Sequence, residues 1–574
     1  MQKGYILGIS CGYHDSAAAL IDSSTGRVLG ACEEERFTGI KHDSAFPTNT
    51  IDWLLSSNSI TSDLIDVICF YETPTEKLDR ISITTKRGGW KNFFNRQHIL
   101  RRNKIQYSKT ESLIKKLGNS NTKIIYLDHH LSHLAYSFYT SPFKNSALIS
   151  VDGVGEWETT SLAFGDENNI NKFLSTQFPN SLGMLYSSIT AFLGFKPNEG
   201  EYKVMGLAPY GISATYVQQF NKLIKKTSNG YELNMEYFEF DWSDTHMFNE
   251  KLGMLFGIPN RLPDEPLTNA HKNIAAGLQF TYEQHFFSLL NRLHKTTKSD
   301  NLCLSGGCAY NGTANGKILN RTKFKNLYIP PAPSDAGSAI GCALHYYYNQ
   351  NTTSNNTVRY NNTRPFMGPG YSNEDVMDAL AKYDKDVYFE RKLYEQIIDT
   401  ISDEITDGNV IGWFQGKMEF GARALGNRSI LANPRDPQMK SRLNRMIKKR
   451  EGFRPFAPIV RQEDSSKYFN YTDTVPYMNQ VVKVRDEWVS ELPAITHVDN
   501  SARIQTLTKN QNRHIYALLD KLEIKNKFPI VINTSFNLKD QTMVLTPEDA
   551  IKTFLNCEMD TLIIHNYIIK KKII

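Results

Sequence analysis

The sequence predicts an α/β protein of two domains, on three observations. Its 574 residues exceed what one hydrophobic core usually organises. Short apolar runs of strand length alternate with helical patterns, which is how α/β chains read. Residues 349–364, NQNTTSNNTVRYNNTR, are almost entirely Asn, Thr and Ser and run into Pro365. Such a stretch buries too little apolar surface to order itself, so it reads as a connection. The expected domains are therefore 1–350 and 365–574.

Composition narrows the class. With 40% hydrophobic and 22% charged residues the chain is globular, which excludes a disordered or fibrous protein. Lys and Arg number 66 against 60 Asp and Glu, a net charge of +6 that gives no support for a nucleic-acid partner. No apolar run approaches the roughly 20 residues that span a bilayer, so no membrane partner is expected, and a homodimer remains compatible with everything so far. The opening, MQKGYILGISCGYHDSAAALID, is interrupted by Gly8, Gly12, His14 and Asp15, and reads as strand, turn and strand, not as a signal peptide. Seven scattered cysteines without a C-x-x-C argue against a disulfide framework or a cysteine zinc site and for a reducing cytoplasm.

Along the N-terminal part, Tyr5–Ile9 reads as a strand, Cys11–Ser16 as a polar turn and Ala17–Ile21 as a second strand. The pattern returns as Ala147–Val151, Asp152-Gly153-Val154-Gly155 and Thr159–Phe164. Two such hairpins opening two halves of one domain is the pattern of the actin-like ATPases, whose turns face nucleotide phosphates. Residues Lys77–Lys116 are rich in Lys and Arg, and read as a solvated helical insertion. In the C-terminal part, strands Val410–Phe414, Pro529–Ile532 and Thr561–His565 alternate with helical patterns at Pro437–Arg450 and Thr546–Leu555.

The densest chemistry is Asp128-His129-His130-Leu131-Ser132-His133. On a helix, His129 and His133 share a face, where both imidazoles reach one metal ion, while His130 points elsewhere. Asp152, in its Asp-Gly turn, and Asp335, in PSDAGS, are the best carboxylates to complete the sphere, although a turn aspartate often bonds only its own backbone. Cys303–Asn311, CLSGGCAYN, follows an apolar strand and precedes a helical pattern, a setting in which backbone N–H groups approach a nucleotide. His14, in Tyr13-His14-Asp15-Ser16, has the character of a general base or a carbonyl-polarising group, or of a locally satisfied histidine.

The C-terminal part carries Gly416–Ser429, GKMEFGARALGNRS, with Arg423 and Arg428, and Lys448–Pro458, KKREGFRPFAP, with Lys448 and Arg454. Guanidinium forks match phosphate geometry, and the interleaved Gly, Pro and Phe suit a pocket better than a solvated face. Asn533-Thr534-Ser535-Phe536-Asn537 follows a strand, where α/β proteins bind ligands, and Arg503 is a further candidate.

Together these residues resemble the O-carbamoyltransferase family of NodU, CmcH and tobramycin carbamoyltransferase. The markers are YHDSAAAL (13–20), EEERFTGIKHD (33–43), HHLSH (129–133), VDGVGEWETT (151–160), EYKVMGLAPYG (201–211), SGGCAYN (305–311), MEFGARALGNRSIL (418–431), REGFRPFAP (450–458) and NTSFN (533–537). The family usually has Pro where Ala422 stands, a structural position. The resemblance implies an N-terminal actin-like domain of two duplicated halves, like the universal tRNA threonylcarbamoyl-transfer proteins, and a C-terminal YrdC-like domain. It implies that ATP and carbamoyl phosphate form carbamoyladenylate in the second, and that an acceptor hydroxyl takes the carbamoyl group in the first. His129, His133, Asp152 and Asp335 would hold a divalent metal, commonly iron. Ser305, Gly306, Gly307 and Asn311 would line the adenosine pocket, and His14 would help deprotonate the acceptor. Arg423, Arg428, Lys448, Arg454, Arg503 and Ser535 would bind phosphates, with Met478 and Asn537 at further pocket positions. Mg-ATP, carbamoyl phosphate and a small-molecule hydroxyl acceptor are the implied ligands.

Two other readings share parts of this pattern. A fused tRNA threonylcarbamoyl-adenosine synthase fits the motifs at 418–431 and 450–458 less well, and the charge balance does not favour tRNA. A non-catalytic nucleotide-binding regulator has no need of both constellations.

Overall fold

The computed structural model describes residues 4–89, 93–228, 230–350, 364–449, 452 and 454–572. Most of the Asn/Thr-rich connection (351–363), and Arg450, Glu451 and Phe453 of the REGFRPFAP motif, lie outside the described residues. The chain forms two compact units: Met1–Ala31 with Ser44–Thr363, and Cys32–Asp43 with Arg364–Ile574. The linear boundaries 1–350 and 365–574 do not contain this exchange of Cys32–Asp43. Among the described residues, no helix is long and apolar enough to cross a membrane.

The first unit holds two five-stranded sheets. One contains β1 (Tyr5–Ser10), β2 (Ala17–Asp22), β3 (Val28–Glu33, whose last two residues belong to the second unit), β4 (Ile65–Phe70) and β5 (Lys123–Tyr126), in the order β3-β2-β1-β4-β5. The other contains β6 (Asn145–Val151), β7 (Glu158–Asp166) and β8 (Asn169–Gln177). After a small hairpin of β9 (Ile224–Thr227) and β10 (Gly230–Leu233) it is completed by β11 (Asn301–Ser305) and β12 (Asn326–Tyr328), in the order β12-β11-β6-β7-β8. In both sheets the first strand pairs antiparallel with the second and parallel with the fourth. One strand order is thus used twice. From sequence the repeat is visible only in its first two strands, and the apolar strand before SGGCAYN is read without its pairing to β6, because a hairpin has a local signature and a parallel pairing has none.

Helix Asp335–Gln350 lies between β1 and helix His129–Tyr139, and its inward residues Ala336, Ala339, Ile340, Ala343 and Leu344 are buried. The approach is backbone to backbone. A Cβ on Gly341 would stand 1.9 Å from Ser132 O, and one on Gly8 would stand 1.8 Å from Ala339 O. Neither position accepts a side chain, and the absence of one lets the two helix termini that carry the site meet.

The basic stretch forms helices Pro74–Thr84 and Phe93–Leu117. It is more than the solvated insertion expected from its charge. Gln106 Nε2 donates to Gly12 O over 2.6 Å, and Tyr107 Oη donates over 2.8 Å to Glu72 Oε1, whose carboxylate also pairs with Lys77 Nζ at 2.8 Å.

The second unit is a nine-stranded mixed sheet. Its strands are β13 (Val387–Arg391), β14 (Ile411–Phe414), β15 (Arg428–Ala432), β16 (Ala457–Arg461), β17 (Gln480–Lys483), β18 (Ser501–Leu507), β19 (Ile530–Ser535), β20 (Thr561–Ile564) and β21 (Tyr567–Lys571). Their order is β13-β21-β20-β14-β15-β19-β16-β18-β17. Helices Tyr394–Thr406 and Arg513–Asn526 contribute Ile397, Ile401, Leu518 and Leu522 to a core with Trp413, Leu431, Ile459, Val531 and Ile563 of the sheet. The helical pattern at Pro437–Arg450 is realised as a short helix, Met439–Arg442, that widens into a π turn at Leu443–Ile447 before Lys448.

Candidate metal centre and anion-binding edge

In the first unit, Asp128 caps helix His129–Tyr139 by accepting from Leu131 N over 2.7 Å. The helix then projects His129 and His133 from one face. Asp152 follows β6 directly and Asp335 opens helix Asp335–Gln350, so three elements deliver four side chains to one point. His129 Nε2 is 3.0 Å from His133 Nε2, 3.3 Å from Asp152 Oδ2 and 3.6 Å from Asp335 Oδ1. His133 Nε2 is 3.8 Å from Asp152 Oδ2 and 3.5 Å from Asp335 Oδ1. All four residues are buried.

These separations test whether a metal fits. Ligand atoms about 2.0–2.2 Å from one ion stand about 3.0–3.6 Å from each other. Most of the spacings above fall in that range, and Asp335 Oδ1 is buried without a hydrogen-bond partner. Two neutral imidazoles and two carboxylates form a donor set suited to a divalent first-row ion. Outer groups orient the ligands: His133 Nδ1 meets Ser338 Oγ at 3.0 Å, and Glu156 accepts from His129 N over 3.1 Å. His130 does point elsewhere, to Ser161 Oγ at 3.0 Å; burial and the neighbouring His129 push it down to about 3, so it is neutral. Burial opposes the charge on His129, yet Asp335 and Asp152 outweigh it and lift the imidazole to about 9, so the neutral form that ligates would be reached by an ion displacing this proton.

His14 lies in the turn after β1, with Nδ1 3.0 Å from Asp15 Oδ2. Burial opposes its protonation, but the fields of Asp335 and Asp15 prevail and raise it well above the ordinary value. The influence runs both ways, since burial raises Asp335 while His14 and His129 more than offset it. Gly306 follows β11 with φ 86°, and a Cβ there would stand 2.3 Å from Val151 O. The next amide, Gly307 N, donates to Asp152 Oδ1 over 2.7 Å. Ser305 Oγ, fully buried, is 3.4 Å from Ser137 Oγ. Asn311 is braced by a reciprocal amide pair with Gln279, at 3.0 and 3.1 Å, and caps the helix turn at Ala314.

In the second unit, register collects the basic residues. Ser429 pairs with Ser535, Asn533 with Ala457, and Ile459 with Gln505. Arg423 before β15, Arg454 before β16, Arg503 near the start of β18 and Ser535 at the end of β19 therefore share one sheet edge. Lys448 is held at the same edge. Its Nζ donates to Ser535 O, to Asn537 O at 2.9 Å and to Asn537 Oδ1 at 2.7 Å, with Ser535 Oγ at 3.3 Å. Met478 is buried before β17 with φ 56°, and the register of β17 sets Arg503 opposite Val481, three residues further along.

Arg428 departs from the phosphate role expected for it. It is fully buried, its guanidinium sits 3.6 Å over the Phe414 ring, and it donates to the carbonyls of Gln415, Gly416, Asn427 and Pro369. Burial lowers it to about 10. Its donors face the protein's own backbone, so it shapes the loop. Glu419, which sequence reasoning passed over, has the complementary role: its fully buried Oε1 accepts from Leu425 N, Asn427 N and Arg428 N at 2.8, 2.8 and 3.1 Å. A lone Glu in a Gly-rich basic stretch carries no local signal for that.

Comparison with known proteins decides the class. Residues 5–344 match the family described as carbamoyltransferase N-terminus, and residues 402–571 match carbamoyltransferase C-terminus. The chain belongs to the carbamoyltransferase family. This carbamoyltransferase is 40% identical to the uncharacterized protein sll1178 of Synechocystis, over 99% of this chain and 97% of that one. It is 34% identical to nodulation protein NolNO of Sinorhizobium fredii, over 97% of this chain and 79% of the relative. Among solved structures, T. kodakarensis HypF aligns with TM-score 0.32 and 13% identity, over 61% of the carbamoyltransferase and 48% of that chain.

Proposed function

We propose that the enzyme activates the carbamoyl group as an adenylate in the second unit and transfers it to a small-molecule hydroxyl in the first. The observation that carries this reading is the buried tetrad His129, His133, Asp152 and Asp335, joined through Asp152 to the Gly306-Gly307 turn. The twice-used strand order supports an actin-like fold for the first unit, and the basic edge supports a YrdC-like role for the second.

Carbamoyl phosphate and water would yield phosphate and carbamate. A carbamate oxygen then attacks the α-phosphate of Mg-ATP and pyrophosphate departs. Arg423, Arg454 and Arg503 would neutralise the phosphates. Lys448 holds Ser535 and Asn537 in place at that edge. In the first unit, Gly306 and Gly307 would bring backbone close to the adenylate, with Ser305 and Asn311 supporting the turn. With a bound ion offsetting the Asp335 charge that otherwise keeps His14 protonated, His14 would orient the acceptor hydroxyl and accept its proton as the oxygen attacks the carbamoyl carbon and AMP leaves. A divalent ion bound by the tetrad, iron being our choice, supplies Lewis acidity toward the phosphate. The acceptor class we favour is a sugar-type or natural-product hydroxyl, in the cytoplasm.

The test is pyrophosphate release by the full chain with ATP, carbamoyl phosphate and a divalent metal. Release that needs both substrates supports the reading. Absence of release under these conditions contradicts it.

A further inference from the structure

The loop that carries Arg423 is held by a segment 388 positions away in sequence, within the same compact unit. Gly421 has φ 115°, a left-handed conformation that favours glycine, and both of its backbone polar groups are taken. Gly421 N donates to Glu33 Oε1 over 2.7 Å, and Arg36 NH2 donates to Gly421 O over 3.0 Å. Both side chains are buried, at 4% and 7% exposure, so neither bond is shared with solvent. Arg36 is itself braced, with NH1 2.6 Å from Glu35 Oε1, and Glu35 Oε2 accepts from His42 N over 2.8 Å.

The other side of Arg423 is fixed as well. Ala424 is buried in an apolar cluster with Met418, Met543 and Leu545, and Phe37 packs against that cluster. Asn533 Nδ2 donates to Ala424 O over 2.9 Å. Between Gly421 and Ala424 remain Ala422, exposed, and Arg423, half-buried. The loop is therefore anchored on both flanks of a two-residue crest. A backbone held this way fixes the point from which the Arg423 side chain extends.

We propose that Glu33, Arg36 and Phe37 are positioning residues for the anion site of the second unit, acting through Gly421 and Ala424 on Arg423. This gives the EEERF segment a role in activation chemistry although it stands near the N-terminus. The inference rests on the reading that Arg423 binds phosphate.

The test compares Glu33→Ala, Glu33→Gln and Arg423→Ala in the full chain by two readouts: inorganic pyrophosphate affinity by calorimetry, and amide hydrogen exchange of the 419–425 segment. Glu33→Ala orphans the Gly421 N–H and should speed exchange in that segment and weaken pyrophosphate binding about tenfold. Glu33→Gln keeps a carbonyl acceptor and should recover most of both. Arg423→Ala should weaken binding while leaving exchange near the wild-type rate. Unchanged exchange or affinity in Glu33→Ala, with Arg423→Ala impaired, overturns the clasp. Exchange that speeds uniformly along the chain without rescue by Glu33→Gln overturns it too, since that is general destabilisation. Unchanged affinity in Arg423→Ala instead contradicts the parent reading of the phosphate site.

Discussion

Gly307 donates its amide hydrogen to Asp152 Oδ1 over 2.7 Å, while Oδ2 of the same carboxylate faces His129 and His133. One aspartate thus ties the glycine turn after β11 to the histidine helix.

Ser338→Ala should loosen the centre without removing a ligand. The hydroxyl stands 3.0 Å from His133 Nδ1 and fixes the ring so that Nε2 points inward. Loss of such a partner typically costs about 10–100-fold in metal affinity. Competitive titration with a chelator measures it, and wild-type affinity in the variant would remove Ser338 from the orienting role.

Gly341→Ala should disturb the centre from a distance. The added Cβ would lie 1.9 Å from Ser132 O, so the two helices that deliver Asp335 and the histidines must separate. Overpacking of this kind costs about 1–3 kcal/mol. Urea unfolding reads the stability, and the same sample should bind divalent metal more weakly than wild type.

Arg428→Met should behave as a stability variant. The carbonyls of Gln415 and Gly416 lose their donor in a fully buried setting, at about 1–3 kcal/mol for each group left unsatisfied, while those of Asn427 and Pro369 keep the backbone donors Gln415 N and Met418 N. The thermal midpoint should fall clearly. Arg428→Lys should recover only part of it, because one ammonium cannot reach all four carbonyls in the guanidinium plane. A full midpoint in Arg428→Met would contradict the structural role.

Much of the first unit's site was legible because its signals are local. The i, i+4 spacing of His129 and His133 fixes their shared face once a helix is assumed, and a short aspartate turn stands out beside a strand. Asp335 was recognisable as a donor but not as a helix-opening residue, since its position depends on how closely Gly341 lets two helices approach. In the second unit the arginines were visible and their sorting was not. Arg423 and Arg428 look alike in GARALGNRS, but Arg428 opens β15, where pairing opposite Phe414 seals it against that ring, while Arg423 stays half-buried on the loop before the strand. The exchange of Cys32–Asp43 into the second unit was invisible for a related reason. It is made by Glu33 and Arg36 bonding a glycine peptide, and such a bond leaves no pattern in the residues around it.

The central claim is that metal binding and carbamoyl activation belong to separate centres. His133→Ala, compared with wild type after anaerobic loading with ferrous iron and desalting, tests it through metal content and pyrophosphate release on the same preparation. The account predicts one tightly held ion per wild-type chain, little in the variant, and pyrophosphate release with ATP and carbamoyl phosphate unchanged in both. Equal metal content in the two proteins, or loss of pyrophosphate release in the folded variant, would contradict it.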